Sequence, residues 1–189
     1  MAYAIIRVVP KHEGCSNFSI ATVRTPEGEE IRREIEDHGE AVGILPYDPT
    51  CRVAMMVRQF RTPVLHAAGR QDLLEVPAGL LDGTDPEEDA KREAIEEVGL
   101  RLRALEKVST VWSMPGVSTE RIHLFLAAYS ESDAESEGGG LAEEHEAITK
   151  LELPLPELAR MADDGRLDDL KSLLLVQTLR LRRPELFKG

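Results

Sequence analysis

A chain of 189 residues with 42% apolar content is long enough for one catalytic domain with a substantial core and a small appendage. Its 35 acidic and 23 basic residues give a formal charge of −12, which argues against non-specific binding to nucleic acid or to an anionic membrane, since both need clustered Lys and Arg. No apolar run approaches a membrane span, and Met-Ala-Tyr-Ala-Ile-Ile-Arg-Val-Val lacks the basic start and long apolar middle of a secretion signal, so a cytoplasmic address is expected.

Residues 3–9 and 18–24 cluster apolar side chains as short strands do, and Pro26-Glu27-Gly28 reads as a turn that returns the chain through Ile31 to Ile35. These form an expected small antiparallel sheet. Cys15 and Cys51 have no metal-ligand spacing, and in a reducing compartment they are expected to be idle thiols. Strands follow at Val42–Leu45 and Val53–Val57, joined by the hairpin residues Tyr47-Asp48-Pro49-Thr50, and Leu73–Val76 leads into an acidic stretch.

That stretch begins a helix. Asp85 is an Asx cap, Pro86 takes the first helical position, and Glu88 lies three residues past the cap. Ala90, Ala94, Ile95 and Val98 make the expected buried stripe, and Gly99 supplies a left-handed stop. Glu93, Glu96 and Glu97, at i, i+3 and i+4, then share a face that is expected to stay open. Carboxylates this close repel, and a divalent cation holding phosphate oxygens would turn the repulsion into a site. The competing reading is an acidic, solvated helix with ordinary pairs such as Glu88 with Arg92.

Leu105–Val111 and Ile122–Tyr129 read as further strands. Between Ser130 and Gly140 the composition shifts to Ser, Glu, Asp and three glycines, which predicts a mobile loop. Leu151-Glu-Leu-Pro opens the last ordered section, with helices expected at Leu155–Asp163 and Leu167–Arg182.

Residues 79–100 resemble the Nudix hydrolase signature, G-x5-E-x7-R-E-U-x-E-E-x-G-U, where U is bulky and apolar. Arg92, Glu93, Glu96, Glu97, Gly99 and Leu100 hold their motif positions, and Ala94 is a small substitute at the first U. The box is one residue short: counted from Gly79 its first acid falls on Asp85, and counted back from Arg92 it falls on Thr84. In the family that acid mainly braces the loop and the Arg, so the departure bears on loop geometry more than on metal binding.

The resemblance implies an α/β fold, a Nudix-type α/β/α sandwich with a mixed sheet (residues 39–189), preceded by a small N-terminal antiparallel sheet (residues 1–38) that dimerises by domain swapping. It implies Mg²⁺, with Mn²⁺ as the alternative, held by Glu93 and Glu97, by Glu96 as further ligand or bridge, and by the Ala78 carbonyl. Gly140-Leu-Ala-Glu-Glu-His-Glu-Ala-Ile148 is similar to the loop that brings a catalytic Glu to the metals in ADP-ribose pyrophosphatases. Glu144 matches that base and Glu146 a supporting acid, with His145 as a bystander between them.

Val57-Arg-Gln-Phe-Arg61 and Leu74-Glu-Val-Pro-Ala-Gly79 look like the strands flanking the site in nucleoside diphosphate sugar hydrolases. Arg61 is the expected diphosphate contact, because a guanidinium fork matches phosphate oxygens. Arg58 is either a second contact or an outward strand arginine, and Glu75 either a partner for base or ribose or a structural acid. Trp112-Ser-Met-Pro-Gly-Val-Ser-Thr-Glu120 places Pro115 fifteen positions after the box ends, as in the ADP-ribose and GDP-mannose branch. Glu120 then matches an acid near the terminal ribose or sugar, Met114 and Gly116 are expected substrate contacts, and a plain tight turn at Pro115 and Gly116 is the alternative. Arg33 and Glu34 match a pair contributed across the dimer, with plain surface charge as the alternative.

The function so implied is metal-dependent hydrolysis of a nucleoside diphosphate sugar, with ADP-ribose giving AMP and ribose 5-phosphate ahead of GDP-mannose. A Nudix-fold sensor that binds a nucleotide sugar without cleaving it is the alternative from another class. The partners expected are this small molecule and a second copy of the chain, with no nucleic acid and no membrane.

Overall fold

A strand in which every residue is buried must be covered on both faces, and Ala41–Asp48 (β4) is such a strand. Side chains alternate across a strand, and the two sets of β4 meet different partners. Val42 and Ile44 join Ala90, Ala94 and Val98 of the helix Pro86–Val98 (α2) in one apolar cluster. A Cβ at Gly43 would instead meet Leu124 and Lys171, the latter on the helix Leu170–Arg182 (α4). The two helices therefore cover opposite faces of one sheet, and the strand between them is a layer of a sandwich.

The computed structural model describes residues 2–83, 85–140 and 148–188. The chain divides into two units, residues 1–40 with 111–122, and residues 41–110 with 123–189. The larger unit is built on the sheet order β10-β5-β4-β9-β8, made of Thr149–Pro154 (β10), Val53–Gln59 (β5), β4, Arg121–Ala128 (β9) and Glu106–Trp112 (β8). Two short strands join it: Leu73–Glu75 (β6) pairs antiparallel with β5, and Ala78–Leu80 (β7) pairs antiparallel with β4. The fold is thus mixed α/β with a mixed sheet. In the smaller unit Ala4–His12 (β1), Asn17–Arg24 (β2) and Glu30–Asp37 (β3) form an antiparallel sheet in that order.

Four features differ from the sequence expectations. The helix Thr62–Ala68 (α1) was not anticipated; it has no buried residue and hence no apolar stripe to betray it. Strand β10 pairs with β5 from Thr149↔Arg58 to Pro154↔Val53, a long-range pairing with only a weak local signal. Helix α4 starts at Leu170, because the Asp169 carboxylate accepts from the Ser172 N–H and caps it there.

The fourth is the Ser130–Gly140 segment, which composition predicts to be mobile. Instead it holds a 3₁₀ turn at Glu131–Asp133 and is fastened to the end of α2. The Glu135 N–H donates to Gly99 O at 2.8 Å, Gly139 N–H to Glu97 O at 2.9 Å and Gly140 N–H to Glu96 O at 3.1 Å. Those carbonyls belong to the last turn of a helix, which has no partners of its own for them. The segment earns its order from backbone groups, which composition does not report. Cys15 and Cys51 are free and exposed.

Candidate active site

Helix α2 forms where the sequence places it. The Asp85 carboxylate accepts from the Glu87 N–H at 3.0 Å, Pro86 follows at the first position, and Gly99 closes the helix with φ of 73°. The three acids do not lie on an open face, however. Glu97 is 2% and Glu93 8% exposed, while Ile95, expected in the buried stripe, is only half-buried. Rotation of the helix toward the β7 segment explains both: the Ala78 N–H donates to Glu97 Oε2 at 3.0 Å, and Glu93 packs on Gly79. A Cβ at Gly79 would lie 2.2 Å from Glu93 Oε1, so only glycine lets the backbone come this close.

Arg92 answers part of the acidic charge. Its Nη2 lies 2.7 Å from Glu93 Oε1 and its Nη1 donates to Glu96 Oε2 at 2.8 Å. Burial alone would lower the pKa of Arg92, but Glu93, Glu96 and Asp89 together raise it. Asp89 was missed by sequence reasoning. It is 6% exposed, accepts from the Gly83 N–H at 3.1 Å and lies 3.5 Å from Arg92 Nε. It therefore braces both the loop and the Arg, the task the signature gives to the acid that the short box lacks. Asp85 is occupied as the cap, and Thr84 lies outside the described residues.

Three residues before Ala78, Glu75 is 1% exposed and held by two cations. Arg61 clasps it bidentately, Nε to Oε1 at 2.7 Å and Nη2 to Oε2 at 3.0 Å, and Lys171 Nζ donates to Oε2 at 3.0 Å. Lys171 also donates to Asp169 Oδ1 at 2.9 Å, while Ser172 Oγ donates to Asp169 Oδ2 at 2.6 Å and accepts from the Val76 N–H at 2.8 Å. Burial opposes charge on Lys171 and Asp169, but Asp169 and Glu75 together raise the Lys171 pKa, and Lys171 with the Ser172 hydrogen bonds lowers that of Asp169. For Arg61, burial again works against the charge and is outweighed by Glu75, then by the charges of Glu97 and Asp169. The β6–β7 segment thus links the helix acids to a pair of cations, Lys171 and the half-buried Arg61. Sequence reasoning missed Lys171 and Asp169, which lie far from Glu75 in the chain; the signal that could have found them is a lysine in the first turn of a helix, against its dipole.

The remaining expected residues fall elsewhere. Arg58 is exposed and pairs with Asp72 at 2.8 Å, the outward-arginine alternative. Within the smaller unit, Arg33 and Glu34 line a cavity of about 430 Å³ together with Gly116 and Val117. The Met114 carbonyl accepts from Val117 N–H at 3.1 Å and Ser118 N–H at 2.9 Å, which shapes the turn there, and Glu120 meets His38 at 3.1 Å. Glu144, His145 and Glu146 lie outside the described residues. Among the described residues no three Asp, Glu, His or Cys side chains stand as a ready-made cation cage.

The model of the NUDIX domain matches residues 37–174. The chain belongs to the Nudix family. Relatives of this Nudix hydrolase include the GDP-mannose pyrophosphatase of Cronobacter sakazakii, 41% identical over 160 residues that cover 82% of each chain. That of Pectobacterium atrosepticum is 42% identical over 147 residues, 77% of this chain and 75% of the relative. A solved structure described as an ADP compounds hydrolase superposes with a TM-score of 0.79 over 98% of this chain and 96% of its own, at 18% identity, a likeness of fold. This Nudix protein is an enzyme that hydrolyses phosphorus-containing anhydrides, and its family generally uses divalent metal ions.

Proposed function

We propose that this Nudix hydrolase cleaves the diphosphate of a nucleoside diphosphate sugar to a nucleoside monophosphate and a sugar phosphate, with GDP-mannose the best-supported substrate. The observation that carries the proposal is the meeting of two charge sets at Glu75–Gly79: Arg61 and Lys171 on the Glu75 side, Glu93 and Glu97 on the Ala78 and Gly79 side. A substrate with adjacent phosphates needs both, cations for its oxygens and acids for the metal that accompanies it. GDP-mannose moves ahead of ADP-ribose because the relatives near 41% identity carry that name, whereas the ADP compounds hydrolase resembles the chain in fold. ADP-ribose stays the second reading, on the Gly140–Ile148 resemblance.

The acids suit a hard divalent cation, since carboxylates and a backbone carbonyl are its preferred donors and the glycine at 79 lets the β7 backbone close directly on Glu93. Glu93 and Glu97 would hold it, with Glu96 and the Ala78 carbonyl as further donors. When bound, such an ion polarises the phosphorus and acidifies an attacking water. Arg61 commits two N–H groups to Glu75 and has others to offer a diphosphate oxygen, where negative charge grows as the bond breaks. Lys171 holds Glu75 from the other side and fixes that guanidinium in place. Proton acceptance from water is assigned to Glu144, with Glu146 supporting it.

Coupled phosphate release from GDP-mannose, ADP-ribose, ADP-glucose and NADH, with Mg²⁺, with Mn²⁺ and with chelator, tests the proposal. Metal-dependent cleavage of GDP-mannose above the others is expected. Silence across the panel with binding of a member would replace hydrolysis by sensing.

We also propose a homodimer through the N-terminal sheet, acting in the cytoplasm. Ile5, Ile6 and Val8 of β1 are all more than two-fifths exposed, as is Tyr3 just before it, and apolar side chains gathered at one strand favour a partner. A monomer in sedimentation at micromolar concentration would refute the dimer.

A further inference from the structure

Glu36, near the end of β3, gathers more side-chain donors than any other acid described in the smaller unit. His38 Nδ1 lies 2.5 Å from its Oε1, which also accepts from Ser16 Oγ, and Ser118 Oγ donates to its Oε2 at 2.5 Å. Its backbone is bonded to the same neighbourhood: Glu36 N–H donates to Val117 O at 2.8 Å, and Thr119 N–H donates to Glu36 O at 2.9 Å. Residues 113–120 are therefore laid along the end of β3. On the far side of the imidazole ring, His38 Nε2 lies 3.1 Å from Glu120 Oε1.

A neutral imidazole has one N–H and one lone pair. Between two carboxylates it can donate to one and must aim the lone pair at the other. Imidazolium donates to both. Glu36 from β3 and Glu120 from the 113–120 segment are the charged groups that face the ring.

We infer that His38, protonated on both nitrogens, is the positioning residue that clasps Glu120 to the end of β3, and that losing one proton releases Glu120 and loosens residues 113–120. The part of this inference that concerns substrate rests on the proposed function and on the resemblance that matches Glu120 to an acid near the sugar end of the ligand. Burial by itself would lower the His38 pKa, but the hydrogen bond and charge of Glu36, followed by those of Glu120, raise it above its ordinary value. Burial would likewise raise Glu36, and its bonds from Ser118, Ser16 and His38 bring it below the ordinary value. The His38 contribution is complete below the unfolded imidazole value of about 6.5 and is lost as pH rises through the raised folded value. The Glu36 contribution is lost only on acidification through its lowered value.

The test combines two readouts on the full chain. Titration of His38 by NMR of the ¹³C-labelled ring is expected to give a midpoint above that of a free imidazole, lowered in Glu120→Gln. The amide signals of Val117, Ser118 and Glu120 should move with the same midpoint. In kinetics with GDP-mannose, KM should rise several-fold through that midpoint while kcat holds, and His38→Gln should abolish the step. An ordinary midpoint with unmoved amides, or a KM step that persists in His38→Gln, would overturn the clasp. If no sugar nucleotide is turned over, the substrate reading fails by itself and the NMR titration still decides the clasp.

Discussion

Carboxylates crowd two regions of this chain, and different cations hold them. In the larger unit Glu75, Glu93, Glu96 and Asp89 meet Arg61, Lys171 and Arg92, which stay charged at any physiological pH. In the smaller unit Glu36 and Glu120 meet a histidine, whose charge depends on one exchangeable proton. The cations of the first arrangement keep their charge near neutrality, and a metal or a substrate phosphate must compete with these guanidinium and ammonium groups to change it. The second can be undone by deprotonation alone. The same electrostatic problem thus has a permanent solution in the larger unit and a reversible one in the smaller.

Three substitutions probe that contrast, beginning with the largest effect. Glu97→Gln keeps an oxygen for the Ala78 N–H and removes the charge. Hydrolysis should fall by at least about 100-fold, since even residues that only support a metal ligand cost up to about that much when changed. Steady-state rates beside an unchanged thermal midpoint would measure it, and unaltered turnover would end the metal assignment. The same acid-to-amide change then separates the two regions by stability. Glu75→Gln strips the counter-charge from buried Lys171 and half-buried Arg61 and should cost about 2–4 kcal/mol, whereas Glu36→Gln, near solvent, should cost under about 1 kcal/mol. Urea unfolding of both variants checks this, and equal losses would erase the distinction.

Local chemistry made much of the fold legible. Asp85, Pro86 and Gly99 mark the limits of α2 by rules that act within a few residues, and the structure keeps all three. What stayed hidden depends on distant partners. Strand β10 exists because β5 is there to pair with, and the Ser130–Gly140 segment is ordered because α2 offers it unpaired carbonyls. At the site, the acids of α2 were visible as a pattern but their burial was not, since it comes from the approach of β7. Asp89 takes over bracing that the signature places elsewhere, and only its contacts reveal the exchange. His38 is a single histidine near a strand end, and nothing beside it in sequence announces the partner at Glu120.

The fastening of the glycine-rich segment to α2 also constrains how this chain can vary. A Cβ on Gly99 would sit 2.0 Å from Ser136 O, and one on Gly138 would sit 2.7 Å from Glu97 O. Each obstacle is main chain, so trimming a neighbouring side chain cannot make room, and both positions also hold positive φ. A second-site suppressor for a change at either glycine would have to move backbone, and at Gly138 that backbone belongs to Glu97. Sequence drift on the loop is thereby tied to the acids on the helix, although the two are some forty residues apart in the chain.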